Sequence, residues 1–509
     1  MPTVKARDYA TLAQECVMRS RYIFRDGGLK DVIEMKQPLR AEQHPAGTMA
    51  FRMTSTDVFR DPWQGLRPLR VTISAEAYES DPESCNAVLN LVKSDWLDVD
   101  LGGSHDVEDL RRFGFEFVRG QGPNWTIRRR SQPTRSFFRW IDDGLLSFLT
   151  SSISETGDVP VNAARQLAFD LLAHDSFQND LFLTSSEYAL CRRTDSRVGL
   201  LSPKGIVSPS EGRRLVHAFL RTRGDFRLDA HHSVDSTLFY TSLARGLLPQ
   251  TVRALRHCLA PAHRDALEEA AYHLEGIVTR TDQLLRAADD LTVLSQREAR
   301  YSAGNALAEE QLFLVQTSSV LVTGALDMLC WFVCGLEGVN PHRKDVSWIG
   351  LFEAGRRGPK WIRDLDDPTA LALRDAARSA IPLPATVTIA AEFRDCFQHR
   401  RPIQGGVADF RNDLGQPAVV ASVIDVGASL RGARVDSSTP GLVEREEIQL
   451  LLPQVFQRAL VADFVDVVEA VLDAVAWDDA AWCTTAPAPG PTMTPIDEFA
   501  VLLFGLRGT

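Results

Sequence analysis

In the second half of the chain, apolar side chains return at helical intervals over four long runs. The most regular, Glu444–Val475, carries Ile448, Leu451, Leu452, Val455, Ala459, Leu460, Phe464, Val467, Val468, Val471, Leu472 and Val475, an i, i+3, i+4, i+7 stripe. Pro261–Asp290 repeats the pattern through Leu267, Ala270, Ala271, Leu274, Ile277, Val278, Leu284 and Leu285. Ala303–Leu336 is longer and increasingly apolar, stopped by Gly338 and Pro341, and Pro384–Arg401 ends at Pro402 because a residue before proline disfavours the helical region. A helix with one apolar stripe must bury it on another element. Four in succession predict a C-terminal four-helix bundle over residues 255–478.

The first half reads differently. Thr48–Thr54 and Leu69–Ser74 alternate like strands, as does Phe113–Val118. Val4–Arg25 and Cys85–Asp98 read as helices, so residues 1–135 are expected to form an α+β domain. Residues 136–254 are expected to be a helical middle region, with helices at Phe137–Ser152, Val161–His174, Ser208–Arg223 and Ser236–Leu247. Ser208 followed by Glu211 makes a capping box at one of these starts. Residues 338–368, with many Gly, Pro and Arg, read as a loop, and residues 479–509 as a linker (Ala486–Pro491) and an apolar tail (Ile496–Leu506). The fold class is therefore mainly α with an α+β N-terminal domain.

Composition narrows the classes. At 509 residues, with 44% apolar and 24% charged side chains, the chain is a multi-domain globular protein rather than a disordered or fibrous one. Residues 1–250 carry 32 basic and 32 acidic side chains, so the net charge of −11 falls wholly within 251–509. A nucleic-acid grip based on charge alone would come from the first half. The eight cysteines include no C-x-x-C pair and are too sparse for a disulfide scaffold. The N-terminus has no signal-peptide core, and the most apolar stretch, Val320–Leu336, contains Asp327 and is too short to span a bilayer. The expected setting is the cytoplasm, without membrane association.

One helix end carries polar residues suited to chemistry: Glu392-Phe-Arg394-Asp395-Cys-Phe-Gln-His399-Arg-Arg-Pro402. The R-x4-H spacing alone is uninformative, because Arg227…His232 and Arg256…His263 have comparable spacings in polar or interrupted segments. Only Arg394…His399 lies near the end of an apolar-periodic helix, with a polar residue directly after the Arg. Those residues resemble the HEPN superfamily, four-helix domains with an Arg, a following polar residue and a His four to six positions on.

The resemblance implies a metal-independent endoribonuclease acting at a homodimer interface, with Arg394, Asp395 and His399 catalytic, no cofactor, and RNA as substrate. The residue types suit that chemistry. Imidazole titrates near neutrality and can take or return a proton, whereas guanidinium stays charged and can hold a phosphorane. On a continuous helix, five residues turn about 500°, which leaves Arg394 and His399 about 140° apart around the axis. They meet one phosphate only if the last turn unwinds before Pro402 or a second protomer completes the site. A regulated toxin or anti-phage effector, released by a trigger partner, is the role this family likeness implies. The alternative is a non-catalytic helical interaction or nucleic-acid-sensing protein, in which Arg394 and His399 merely close a helix.

A second candidate interleaves Arg with aromatics: Trp125, Arg128, Arg129 and Arg130, then Arg135 and Arg139 beside Phe137, Phe138 and Trp140. Arg pairs with phosphate while an aromatic face stacks on a base, so this stretch is a candidate nucleic-acid contact. A strand edge followed by an amphipathic helix accounts for the same residues without a ligand. Arg213, Arg214, Arg221, Arg223 and Arg227 form a weaker cluster. His231-His232 with Asp229 and Asp235 has no distant partner pattern, so no metal site is expected. Cys330 and Cys334 read as core thiols. No P-loop, G-x-G-x-x-G, G-x-S-x-G or H-E-x-x-H motif occurs, so the sequence offers no support for nucleotide hydrolysis, dinucleotide binding, serine hydrolysis or zincin chemistry.

Overall fold

The computed structural model describes residues 22–24, 67–103, 114–119, 124–130, 139–157, 159–177, 179–192, 205–227, 236–297, 304–352, 360–399, 405–411, 417–425, 439–445 and 448–478. The expected strand at Thr48–Thr54, the His231-His232 loop and the linker and tail after residue 478 lie outside these residues. Among the described residues the chain is mostly helical, with a small parallel sheet in its N-terminal region. It divides into two compact units, residues 1–234, 292–308 and 406–422 in the first, and 235–291, 309–405 and 423–509 in the second.

In the first unit, β1 (Tyr22–Phe24) precedes β2 (Leu69–Ile73), α1 (Ala75–Ser80), α2 (Pro82–Asn90) and β3 (Leu97–Leu101). Next come β4 (Phe115–Arg119), β5 (Asn124–Arg129), β6 (Arg139–Asp142), α3 (Asp143–Gly157) and α4 (Val161–Ser176). The unit continues through β7 (Leu181–Leu183), α5 (Glu187–Arg192), β8 (Ile206–Val207) and α6 (Pro209–Thr222). Strands β3, β2, β7 and β8 lie side by side in that order, all parallel, in register through Val71↔Val99, Val71↔Leu181 and Phe182↔Ile206. Parallel neighbours require long crossovers, and here helices supply them.

Leu69, Val71, Ile73, Val99, Leu181 and Leu183 share one core with Cys85, Val88, Leu215, Val216 and Phe219 of α2 and α6. Phe182 and Ile206 pack instead with Leu149, Leu167, Phe169 and Leu172 of α3 and α4. With helices on both faces, this region alternates strand and helix rather than segregating them as an α+β domain would. The antiparallel sheet β4–β5–β6 adds Phe115 and Ile127 to the second core.

Several expected boundaries shift for local reasons. Tyr22–Phe24, expected to be helical, is a strand paired with Gly406–Ala408 of β9 (Gly405–Arg411), as its Tyr-Ile-Phe content favours. The Cys85–Asp98 helix stops at Asn90, and Leu97-Asp-Val-Asp-Leu alternates into β3. Arg139–Asp142 is a strand, so the helix expected from Phe137 begins at Asp143. At Ser208 the expected cap forms, its hydroxyl accepting from Glu211 N–H at 3.3 Å.

The second unit contains α7 (Ser236–Leu247), α8 (Pro249–Leu259), α9 (Arg264–Arg297) and α10 (Gly304–Glu337), the last two reaching a few residues beyond it. The loop expected at 338–368 carries two short helices, α11 (Trp348–Phe352) and α12 (Lys360–Arg363). Then follow α13 (Pro368–Ser379), α14 (Ala385–His399), β10 (Pro417–Asp425, of which residues 417–422 belong to the first unit), β11 (Leu442–Arg445), β12 (Ile448–Leu451) and α15 (Pro453–Leu472). Helices α9 and α10 run antiparallel, Ala270 meeting Gly335 and Arg280 meeting Gly324; a Cβ on Gly335 would stand 3.1 Å from Ala270. Helices α14 and α15 are also antiparallel, joined by Thr386 Oγ1 donating to Asp463 (2.5 Å) and by the Phe393–Phe456 rings.

The run expected as one helix from Glu444 to Val475 is a hairpin followed by a helix. Leu442–Arg445 pairs with Ile448–Leu451, and α15 starts only at Pro453. Proline inside a helix would remove a hydrogen bond and clash with the preceding turn, whereas at the first helical position its missing N–H costs nothing. Helix α10 is more continuous than the Val320–Leu336 stretch suggested: Ala308–Glu337 is long and apolar enough to cross a membrane by length and composition alone. More than half of its most apolar window is buried inside the protein, and Gln311, Ser318, Ser319 and Thr323 are buried along it. Those are features of a core helix.

Candidate functional site

Arg394 and Asp395 are placed by the way α14 packs. Thr386, Val387, Ile389, Ala390 and Phe393 are fully buried, so positions 394 and 395 fall on the flank of that stripe, half-buried. The Arg394 guanidinium Nη2 lies 3.8 Å from Asp327 Oδ2 of α10, beyond hydrogen-bond range, so the attraction is electrostatic. The other oxygen of Asp327 accepts the Trp348 backbone N–H at 2.9 Å, at the start of α11.

A third helix adds a second cation. Arg280 of α9 lies across Gly324, its Nε 3.0 Å and its Nη2 3.3 Å from where a Cβ on that glycine would stand. Gly324 is one turn before Asp327 on α10, and the Arg280 charge acts on the Asp327 carboxylate. Burial pushes the Asp327 carboxyl above its usual range, against the pull of the Trp348 N–H, Arg394 and Arg280. Burial likewise lowers Arg280, and Asp327 and Tyr272 oppose it. The Asp327 carboxylate of α10 thus pairs with one guanidinium, from α14, and feels the charge of a second, from α9, whose Nη1 lies against Met328 Sδ at 2.5 Å.

His399 is the last residue of α14, and its side chain lies outside the described residues. The helix continues through His399 without unwinding, which leaves the two positions about 140° apart around the axis. Positions 394 and 399 therefore lie on different sides of α14.

Of the interleaved Arg and aromatic residues, Trp125, Arg128, Arg129, Arg139 and Trp140 sit on the antiparallel sheet of the first unit, and Phe137 and Phe138 lie outside the described residues. Trp125 is half-buried, its indole N–H donating to Asp143 Oδ1 at 2.8 Å and its ring edge-on to Phe169 at 5.1 Å. The guanidinium carbons of Arg119 and Arg165 stand 5.8 and 5.5 Å from the ring centroid. This tryptophan works as a packing residue between β5 and α4. Arg128 and Arg129 occupy register positions opposite Glu116 and Phe115, and Arg139 lies opposite Ile127. Arg130 is exposed at the end of β5, and Arg135 lies outside the described residues.

The sequence reading missed a polar group at the strand ends of the parallel sheet. The chain adds β3 on one side of β2 and then β7 on the other, so the order reverses between β2 and β7, where open α/β sheets commonly hold ligands beyond the carboxyl ends of their strands. There Glu76 accepts from the Thr184 hydroxyl and from the Ser185 N–H (3.1 Å), and Ser80 Oγ meets Ser185 Oγ at 2.6 Å. Asp170 of α4 stands close by, receiving the N–H groups of Ala75 and Gly103. The available signal was a pair of apolar strands each followed by a hydroxyl and then a carboxylate, Ile73-Ser-Ala-Glu76 and Leu183-Thr-Ser-Ser-Glu187. Below these ends Asn179 Nδ2 donates to Thr72 Oγ1 (2.6 Å) and Asp100 Oδ2 (2.9 Å) within the sheet's buried face.

Cys330 and Cys334 are buried in α10, and burial pushes the Cys334 thiol up to about 12, well away from thiolate chemistry. Among the described residues no group of three or more His, Cys, Asp or Glu side chains is placed to hold a metal ion. The chain matches no protein-family model, no curated protein and no solved structure.

Proposed function

We propose that this chain is a cytoplasmic, metal-independent endoribonuclease of HEPN type, whose four-helix bundle is α9, α10, α14 and α15 and which acts as a homodimer. The observation that carries the reading is the half-buried Arg394, beside Asp395 on α14 and five residues before the helix's last residue, with a second guanidinium on α9. In the reaction, His399 takes the proton of an RNA 2′-hydroxyl or returns one to the departing 5′-oxygen. Arg394 holds the charge of the phosphorane, and Asp395 orients the pair. Attack by the 2′-oxygen on the adjacent phosphorus, with loss of the 5′-oxygen, gives a 2′,3′-cyclic phosphate, a product DNA cannot form. Because positions 394 and 399 diverge around one helix, each cleavage site takes its Arg from one copy and its His from the other. The biological role that goes with this chemistry is a toxin or anti-phage effector held inactive until a trigger partner acts.

His399→Ala and Arg394→Ala are each expected to abolish cleavage of a fluorescently labelled single-stranded RNA while the thermal midpoint stays within a few degrees of the parent. RNA degradation that persists undiminished in both purified variants refutes the assignment.

One observation favours a non-catalytic reading: α14 remains helical through His399 and Arg394 faces an internal carboxylate, as in a helix end that only closes a packing interface. In that case the chain is an interaction or nucleic-acid-sensing protein. Size-exclusion mass together with an RNA-incubation gel separates the two, because a monomer that never cuts RNA belongs to the second.

A further inference from the structure

We infer that Arg280 and Arg394 together form the seat for a phosphodiester, and that Asp327 is the internal anion that holds this seat closed. Arg280 comes from α9, Arg394 from α14 and Asp327 from α10; packing lays Arg280 over Gly324 and Met328, beside Asp327 on the same helix, while Arg394 reaches Asp327 from α14. The room for Arg280 is made by Gly324, where any larger residue would strike its guanidinium at about 3 Å. Asp327 is fixed from behind by the Trp348 N–H, so its free oxygen is turned toward Arg394 rather than being able to swing away. Two guanidiniums against one carboxylate leave one positive charge uncompensated within the trio. The side chains of Arg394 and Asp327 remain 31% and 25% exposed, so the group is reachable from solvent.

A phosphodiester offers what Asp327 offers, two anionic oxygens on one centre, and planar guanidinium forks match that geometry. Entry of the phosphate would exchange an ion pair 3.8 Å apart for direct hydrogen bonds, with Asp327 kept on the Trp348 amide. The carboxylate then opposes the incoming charge, which sets a threshold for occupancy. The substrate in this inference rests on the endoribonuclease reading; the geometry of the trio does not.

The test uses the full-length protein carrying His399→Ala, so that RNA is bound without being cut, and reads the anisotropy of a 5′-fluorescein single-stranded RNA 20-mer at fixed salt. Adding Asp327→Asn is expected to tighten binding about five- to tenfold, and adding Arg280→Gln to weaken it by about the same factor. Arg280→Lys is expected to fall between, since it keeps the charge but not the fork. Should Asp327→Asn fail to fold, Gly324→Ala decides, because its Cβ displaces Arg280 and should weaken binding with Asp327 intact. Binding unchanged in folded Asp327→Asn, Arg280→Gln or Gly324→Ala overturns the inference and leaves Asp327 a purely structural counter-ion. Cleavage by the protein with His399 restored is scored separately. Shifts in binding without any cleavage keep the seat and remove the nuclease, whereas cleavage without the shifts does the reverse.

Discussion

Asp170 is fully enclosed on α4, its carboxylate accepting from the backbone N–H of Ala75 (3.0 Å) and Gly103 (3.3 Å) and from the Gln166 amide (2.8 Å). Burial outweighs those three donors and lifts its pKa to about 7, with Glu76 adding to the rise. Since the native pKa lies above the unfolded one near 4, folding favours the protonated form. The contribution to stability is complete below about pH 4 and is lost as pH rises through 7, by up to roughly 4 kcal/mol. Denaturant unfolding of wild type and Asp170→Asn at pH 5 and pH 8 should therefore show the wild type losing more stability over that interval than the variant. Parallel losses in both would place the titration elsewhere. In the sequence this residue sits in Ala-Phe-Asp-Leu-Leu and looks like an ordinary helix position, because nothing local tells that α4 lies over the ends of β2 and β3. Arg394 and Asp395 were legible, since two polar residues beside an apolar stripe show directly in the helical period.

The α8 helix illustrates how one element completes another. Its N-cap, Leu248, has no side-chain acceptor, and the first-turn amides are met instead by Glu469 of α15, which accepts from Gln250 N (2.6 Å), Thr251 N (3.0 Å) and Thr251 Oγ1 (2.7 Å). A carboxylate at a helix N-terminus also meets the positive end of the helix dipole. Glu469→Ala is expected to lower stability by about 2–3 kcal/mol, and Glu469→Gln by less, in chemical denaturation; a loss under about 0.5 kcal/mol for the alanine variant would remove this capping role. Long helices such as α9, α10 and α14 were readable to within a few residues at most ends because their stripes are long and regular. The segment before α15 was not. Its apolar residues satisfy both a helical and a strand period; Gly441, with φ +80°, marks the entry to the hairpin and Pro453 the start of the helix.

Across the whole molecule, the acidic excess of residues 251–509 works against a broad positive field in that half, so the proposed RNA contact there would be local. Occupancy of one or two phosphates predicts a shallow salt dependence, log K falling with log salt at a slope of about −0.7 to −1.4 for single-stranded RNA. Contact through Arg128, Arg129, Arg130, Arg135 and Arg139 instead would give about −3.5. Anisotropy titrations between low and moderate salt distinguish the two, and the steep slope would move the working surface to the first unit. The amino-acid pattern alone determined that the long helices of the second half form, that Cys330 and Cys334 are core thiols and that a polar Arg-Asp pair flanks a buried stripe. Each of those is written in neighbours within a few turns of one another. Tertiary structure alone decided the parallel strand order with its reversal between β2 and β7, the reach of Glu469 to α8, and the meeting of Arg280, Asp327 and Arg394. Those depend on residues brought together from distant segments, and such contacts leave no periodic trace along the chain.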